Sequence, residues 1–484
     1  MADSLKQKTL NGLFWSAIDI IAGQGIVFVV GIVLARLLTP EIFGQIGIIA
    51  IFIGIFDCIV GSGFGSALIR KPNATEDDFS TVFVANLVTS FLLAGVLFIS
   101  APYIADFFHT PDLENPTKVM SLIIIINALA IVQETKLSKS INFKAKTRVS
   151  LVAALCSGVF GIASAYAGAG IWAIVVQQMS RNALNTIGLW MVSKWTPRLH
   201  FSVESFKELF GYSWKLLVTG LLNSLWNQLY QVVIGRFYTA TDLGYYTRAN
   251  QFTNFGSSSL TSVIQRVTFP VLSNIQEDKA QLKNAYRRVL RCTMFMTIVC
   301  MYGLLCVSKP LVILLVGEKW LECVPMMQIL CITMSFYPVH SLNLNLLQVQ
   351  GRSDLYLKID ILKKFVGLGP VAIGIIFNIQ WMLFTGVLAN LICLCINSYY
   401  SGPFINYSTW SQIKDIIPSV LVGLCMIVVD LPISFLNISY SLMLTLQIFV
   451  CFLTILAVCE IFNLYEYKEI KTIIFETFKR RRHG

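Results

Sequence analysis

Charge is scarce in this chain. Only 13% of its 484 residues are Asp, Glu, Lys or Arg, against roughly 25% in soluble domains, and that shortfall excludes an ordinary soluble globule. Histidine is scarcer still: His109, His200, His340 and His483 are scattered, which argues against a metal centre. The twelve cysteines form no CxxC pair and no metal-ligand spacing. Cys58, Cys156, Cys300, Cys306, Cys425, Cys451 and Cys459 sit singly in apolar runs, and Cys393 and Cys395, two apart on a helix, face different ways. They are expected to be packing residues, not a disulfide framework or a redox site. No Walker sequence, nucleophile elbow or pair of catalytic carboxylates occurs, and the longest polar loops are short. No enzymatic chemistry, cofactor or bound metal is therefore expected.

What the chain has instead is apolar length. It is 56% hydrophobic with a mean hydropathy of +0.70, and nearly uncharged runs recur from end to end. About 20 apolar residues cross the hydrocarbon core as a helix, so the expected fold is an all-α polytopic membrane protein. Fourteen spans are expected near residues 13–35, 42–68, 80–104, 117–133, 149–168, 170–192, 212–234, 245–272, 292–316, 323–349, 356–377, 380–400, 413–431 and 438–462. Met1 to Asn11 is short and polar, and no small-residue cleavage site follows the first apolar run. A retained helix is expected there rather than a removed signal peptide.

Basic residues orient these spans. With the N-terminus inside, 28 of the 37 Lys and Arg fall on inner segments. Five (Arg36, Lys118, Arg236, Lys309, Lys319) fall on outer ones and four (Arg181, Lys215, Arg248, Arg266) inside spans. The bias places both termini in the cytoplasm. The net charge of +11 then faces anionic headgroups, and a nucleic-acid partner need not be invoked.

An internal repeat organises the chain. Leu34-Ala35-Arg36-Leu37-Leu38-Thr39-Pro40-Glu41-Ile42-Phe43-Gly44 returns 200 residues later as Ile234-Gly235-Arg236-Phe237-Tyr238-Thr239-Ala240-Thr241-Asp242-Leu243-Gly244. Arg, Thr and Gly keep their places, and Trp15 and Trp214 correspond with a one-residue slip. An offset of six helices preserves orientation. The halves are thus expected to be parallel repeats about an axis along the membrane normal, enclosing a central polar cavity. This gives a six-helix N-terminal lobe over 1–200, a six-helix C-terminal lobe over 201–400, and two accessory helices with a basic tail over 401–484.

Several spans carry polar residues at helical period. Lys215, Thr219, Asn223, Asn227 and Tyr230 share one face of the seventh; Arg248, Gln251, Phe255, Ser258, Ser262 and Gln265 run along the eighth, with Arg266 at its inner end. Gln177, Arg181 and Asn185 align on the sixth, and Tyr337, Ser341, Asn345 and Gln348 on the tenth. Such residues are costly against lipid, so they face a cavity or one another. Asp19 and Asp57 are the acids of the first two spans, candidates either for ion coupling or for pairing with an arginine. Arg266 and Lys215 have snorkelling as their plain alternative, and the Asn and Gln stripes have interhelical hydrogen bonding. Arg36 and Arg236 are expected to tether their outer turns. Gly317-Glu318-Lys319-Trp320 lacks a Gly-rich lead and lies on the outer side, so it is no phosphate loop, and Trp320 reads as an interfacial anchor.

The chain resembles polysaccharide flippases of the multidrug/oligosaccharidyl-lipid/polysaccharide exporter superfamily, in the branch serving capsule, exopolysaccharide and teichuronic-acid pathways. The resemblance rests on Gly12-Leu13-Phe14-Trp15, the Ala35–Gly44 turn, Gly63-Phe64-Gly65-Ser66-Ala67-Leu68-Ile69, Phe269-Pro270-Val271-Leu272, Gly317-Glu318-Lys319-Trp320 and Gly351-Arg352-Ser353-Asp354-Leu355-Tyr356. It implies an undecaprenyl-diphosphate-linked oligosaccharide as substrate, moved to the outer leaflet of a bacterial inner membrane. Polysaccharide polymerase and glycosyltransferases are the implied partners. The substrate-binding candidates are then Arg181, Lys215, Asn223, Asn227, Arg248, Gln251 and Arg266, their cations suiting a diphosphate. Asp19 and Asp57 remain the candidates for an H⁺ or Na⁺ counter-ion. Against this stand a multidrug exporter of the same superfamily, which calls for a more acidic cavity, a membrane-embedded polysaccharide-synthesis enzyme, which calls for a large catalytic loop, and a membrane scaffold.

Overall fold

The computed structural model describes residue 15 and residues 22–61, 63–198 and 200–472; the side chains of residues 258–260, 262–267, 269–271 and 353 lie outside that description. Every regular element among the described residues is a helix. Nine helical stretches among them are long and apolar enough to cross a membrane, from Pro40–Arg70 to Tyr440–Ile461. The chain divides into two compact units, Met1–Thr247 and Arg248–Gly484.

The first unit holds α1 (Ala22–Leu37), α2 (Pro40–Gly61), α3 (Phe64–Arg70), α4 (Glu76–Phe107), α5 (Glu114–Met120), α6 (Leu122–Lys139), α7 (Phe143–Tyr166), α8 (Ile171–Ser193), α9 (Val203–Phe237) and the start of α10 (Ala240–Asn274). Side-chain caps begin many of these. Thr75 and Asp78 form a reciprocal capping box at α4, and Asn142 and Ser202 cap α7 and α9. Phe64, Phe79, Phe83 and Trp195 pack with Leu68, Val132 and Leu209 in a buried cluster of this unit.

The repeated turns meet within this unit. α1 and α9 end at Leu37 and Phe237, and α2 and α10 begin at Pro40 and Ala240, again 200 residues apart. The two glycines explain themselves by a reciprocal contact. A Cβ on Gly44 would lie 1.6 Å from Ala240 O, and one on Gly244 would lie 1.9 Å from Pro40 O. Each helix start receives from the other what it gives, as two-fold related surfaces do. Only glycine allows backbones so close.

The second unit continues α10 and adds α11 (Lys279–Cys306), α12 (Ser308–Val316), α13 (Cys323–Ser335), α14 (Tyr337–Val349), α15 (Ser353–Ile376), α16 (Ile379–Ser401), α17 (Thr409–Asp430) and α18 (Tyr440–Ile461). Phe295 and Cys306 of α11 pack with Val422 and Met426 of α17 and Cys451 and Cys459 of α18. Ion pairs fasten the same helices. Arg287 grips Asp415 with two hydrogen bonds of 2.6 and 2.7 Å, and Arg291 reaches the fully buried Glu466 at 2.6 Å. Basic segments read from sequence as inner loops are partly helix: Lys279–Arg291 forms the first turns of α11, and Lys358–Lys364 lies within α15. Long amphipathic side chains let a helix outrun the apolar run that identifies it.

Candidate functional site

Within the first unit the polar face of α9 is open. Lys215, Thr219, Asn223 and Asn227 are all exposed, whereas the adjoining face packs on α2: Ser224 Oγ donates to Gly54 O at 3.4 Å, and Gly220 lies beside Cys58. Tyr230, the last member of the expected stripe, stacks on the buried Tyr246 instead, with ring centroids 6.4 Å apart. Four polar side chains on an apolar helix, uncovered by protein, belong in a water-filled space rather than against lipid.

Arg181 of α8 is half-buried. Its expected companion Gln177 is buried where Gly161 lets α7 close in, so that face is split between helix packing and a more open position at Arg181. Asp57 of α2 accepts a 2.8 Å hydrogen bond from Asn127 Nδ2 of α6, while its Oδ1 is enclosed with no hydrogen-bond partner. The pairing is with an amide, not with the arginine that the sequence offered as an alternative. Asp19 lies outside the described residues, and so does the side chain of Arg266.

Arg248, in the second unit, is 2% exposed. Its Nη1 donates to Gln251 Oε1 at 2.6 Å, and its guanidinium lies over Trp320, 5.4 Å from the ring centroid. The expected cavity-wall position of Arg248 is therefore corrected to an interior one, because the indole face offers the cation an attractive, dry surface. Trp320 is corrected with it: the residue is fully buried and anchors no interface. Arg236 does tether its turn, bonding His109 Nε2 and lying 4.8 Å from the Phe107 centroid.

Lys71, in the polar connection after α3, is held by Glu208 at 2.9 Å and Asp78 at 3.0 Å. The hydrogen bond it donates to Glu208 is the main reason its ammonium loses its proton above the usual lysine range. Sequence reasoning missed two polar groups: Asn127 beside Asp57, and the set formed by His340 with Asn390 and Asn397. The seven-residue spacing of the two asparagines, which puts them on one face of α16, was the available signal. Among the described residues no group of three or more His, Cys, Asp or Glu is placed to hold a metal ion.

A family profile described as "Polysaccharide biosynthesis protein" matches residues 33–325, more than half of the chain. The chain belongs to that family. Among its relatives, the succinoglycan biosynthesis transport protein ExoT of Rhizobium meliloti is 25% identical over 377 residues, 78% of this chain and 76% of the relative. The lipopolysaccharide biosynthesis protein WzxC of Escherichia coli is 25% identical over 373 residues, 77% of this chain and 76% of its own. Among solved structures, the lipid II flippase MurJ in an inward closed conformation superposes with a TM-score of 0.76 at 15% identity, covering 95% of this chain and 99% of that one. The family member described here is accordingly a multi-pass membrane protein with the MurJ fold.

Proposed function

We propose that the protein is a flippase that carries an undecaprenyl-diphosphate-linked oligosaccharide from the cytoplasmic to the outer leaflet of a bacterial inner membrane. The observation that carries this reading is the family membership over residues 33–325, joined to an open polar face on α9 that a sugar headgroup can use in place of water. On this reading Lys215, Asn223 and Asn227 of the first unit meet the headgroup, and Arg181 adds a second cation. Arg266 stands as a further candidate at the inner end of α10. Residues 1–200 and 201–400 act as lobes that rock, and 401–484 supplies the accessory pair.

Both termini lie in the cytoplasm, given the distribution of basic residues. Outward movement of an anion gains about 2.3 kcal/mol per charge per 100 mV of inside-negative potential. Asp57, with one enclosed oxygen unbonded, and Asp19 are the acidic candidates for an H⁺ or Na⁺ counter-ion. A polymerase and glycosyltransferases would consume and supply the substrate.

The test is reconstitution. Vesicles carrying the purified protein and a lipid-linked oligosaccharide should expose the headgroup to an outer-leaflet glycosidase, faster when a potential of the right sign is imposed. Protection of the headgroup together with efflux of cationic drugs would replace this reading with the multidrug exporter.

A further inference from the structure

α14 carries His340 into the second unit, and both ring nitrogens are occupied. Nε2 lies 2.6 Å from Asn390 Oδ1, and Nδ1 lies 2.7 Å from Asn397 Nδ2. An amide oxygen only accepts and an amide nitrogen only donates. The arrangement is therefore that of a neutral ring protonated on Nε2. Asn390 is oriented independently, its Nδ2 pointing to Thr333 O at 3.5 Å. Asn397 is not: the residue is fully buried, and its Oδ1 has no hydrogen-bond partner.

Half a turn of the Asn397 carboxamide exchanges its oxygen and nitrogen. The oxygen then accepts from a protonated Nδ1, and the imidazolium donates from both nitrogens, to Asn390 and to Asn397. One amide atom of Asn397 is left over in either state, so the two states satisfy the same number of groups. We propose that His340 is a proton-binding site of the second unit, in which uptake of H⁺ on Nδ1 is matched by rotation of the Asn397 carboxamide. The proton enters and leaves by the same lone pair, and nothing else is consumed.

The surroundings tell what proton occupancy does. Lys363 of α15 is the charged group facing the ring, with Asp360 and Lys364 of α15 and Cys393 of α16 beside it. Asp360 is itself paired with Lys364 at 2.9 Å. Tyr302 of α11 lies by Ser335 of α13, Tyr337 of α14 faces Tyr356 of α15, and α13 contributes the buried Cys331. Among the described residues no carboxylate bonds the ring. Protonation therefore sets two like charges across the packing of α14 and α15, and occupancy biases that packing. His340 is only partly buried, and Tyr337, one turn earlier, is 44% exposed.

Coupling of this site to transport rests on the flippase reading; protonation itself does not. The test uses the full chain in lipid nanodiscs with ¹⁵N-labelled histidine, the His340 signal being assigned by its loss in His340→Gln. The expected result is a neutral, Nε2-protonated ring at high pH that becomes doubly protonated on acidification. Asn397→Asp, which presents a fixed acceptor to Nδ1, should raise the midpoint by about one pH unit or more. A midpoint unmoved in correctly folded Asn397→Asp, or a ring that stays neutral down to acid unfolding, overturns the proposal. In proteoliposomes, a pH gradient should accelerate headgroup exposure by wild type and not by His340→Gln. Titration as expected with no exposure by any variant upholds the proton site and rejects the flippase reading alone.

Discussion

Arg248 and Lys215 are both cations within apolar helices, yet their surroundings give them different work. Arg248 is enclosed by Gln251 and Trp320, so removing it leaves an indole face and an amide oxygen facing a void. Arg248→Ala is expected to cost about 2 kcal/mol or more in stability, seen as lower abundance and a lower melting temperature in detergent. Lys215 is exposed, its ammonium 5.9 Å from the ring centroid of its neighbour Trp214. Lys215→Ala should leave melting within about 0.5 kcal/mol of wild type while slowing headgroup exposure in vesicles, and Lys215→Arg should restore the rate. Equal melting loss in both Ala variants would remove the distinction. The stripe on α9 was legible in the sequence because period alone places 215, 219, 223 and 227 on one face. The fate of Arg248 was not, because its partner Trp320 is distant in sequence and only tertiary packing brings the two together. His340 was passed over for a similar reason: a histidine without a neighbouring ligand reads as isolated until α16 is laid against α14.

At the scale of elements, apolar runs located the helices well and their ends poorly. Hydropathy reports where a helix is in hydrocarbon, but caps decide where it starts, and Asp278 begins α11 by accepting from Ala280 N at 2.9 Å and Gln281 N at 3.0 Å, well before the apolar run. The repeated turn was legible as three shared residues, and the structure supplies the physical need for one of them. Gly44 and Gly244 each meet a carbonyl oxygen of the opposite helix start at a distance no Cβ tolerates. Gly44→Ala and Gly244→Ala should therefore destabilise the protein by similar amounts, on the order of 1–3 kcal/mol each or more. Gly25, where an added Cβ meets nothing within 4 Å, supplies the control: Gly25→Ala should be neutral or slightly stabilising. Melting curves of the three variants decide it. A large loss at one repeated glycine and none at the other would mean that the contact is not shared as the geometry requires.

The whole molecule must have one orientation in the membrane, and the distribution of basic residues predicts which. Twenty-eight of 37 lie on segments assigned to the inside, a bias that holds although many of those segments prove to be helix rather than loop, since a snorkelling ammonium reads the same headgroup charge from either. Thr39 and Thr239 are exposed beside the repeated turns, and Lys144 lies in the first turn of α7, three crossings after the first of the repeated turns. The orientation expected from the basic residues puts both turns outside and Lys144 in the cytoplasm. In a variant with its native cysteines replaced, Thr39→Cys and Thr239→Cys should react with a membrane-impermeant maleimide in intact cells. Lys144→Cys should react only after the membrane is opened. The contact between Gly44 and Gly244 puts both turns on one face, so labelling of one turn without the other would contradict that contact. Both turns silent and Lys144→Cys reactive in intact cells would turn the molecule over. The protein would then carry its basic surface outward, where the cytoplasmic leaflet's negative potential cannot hold it.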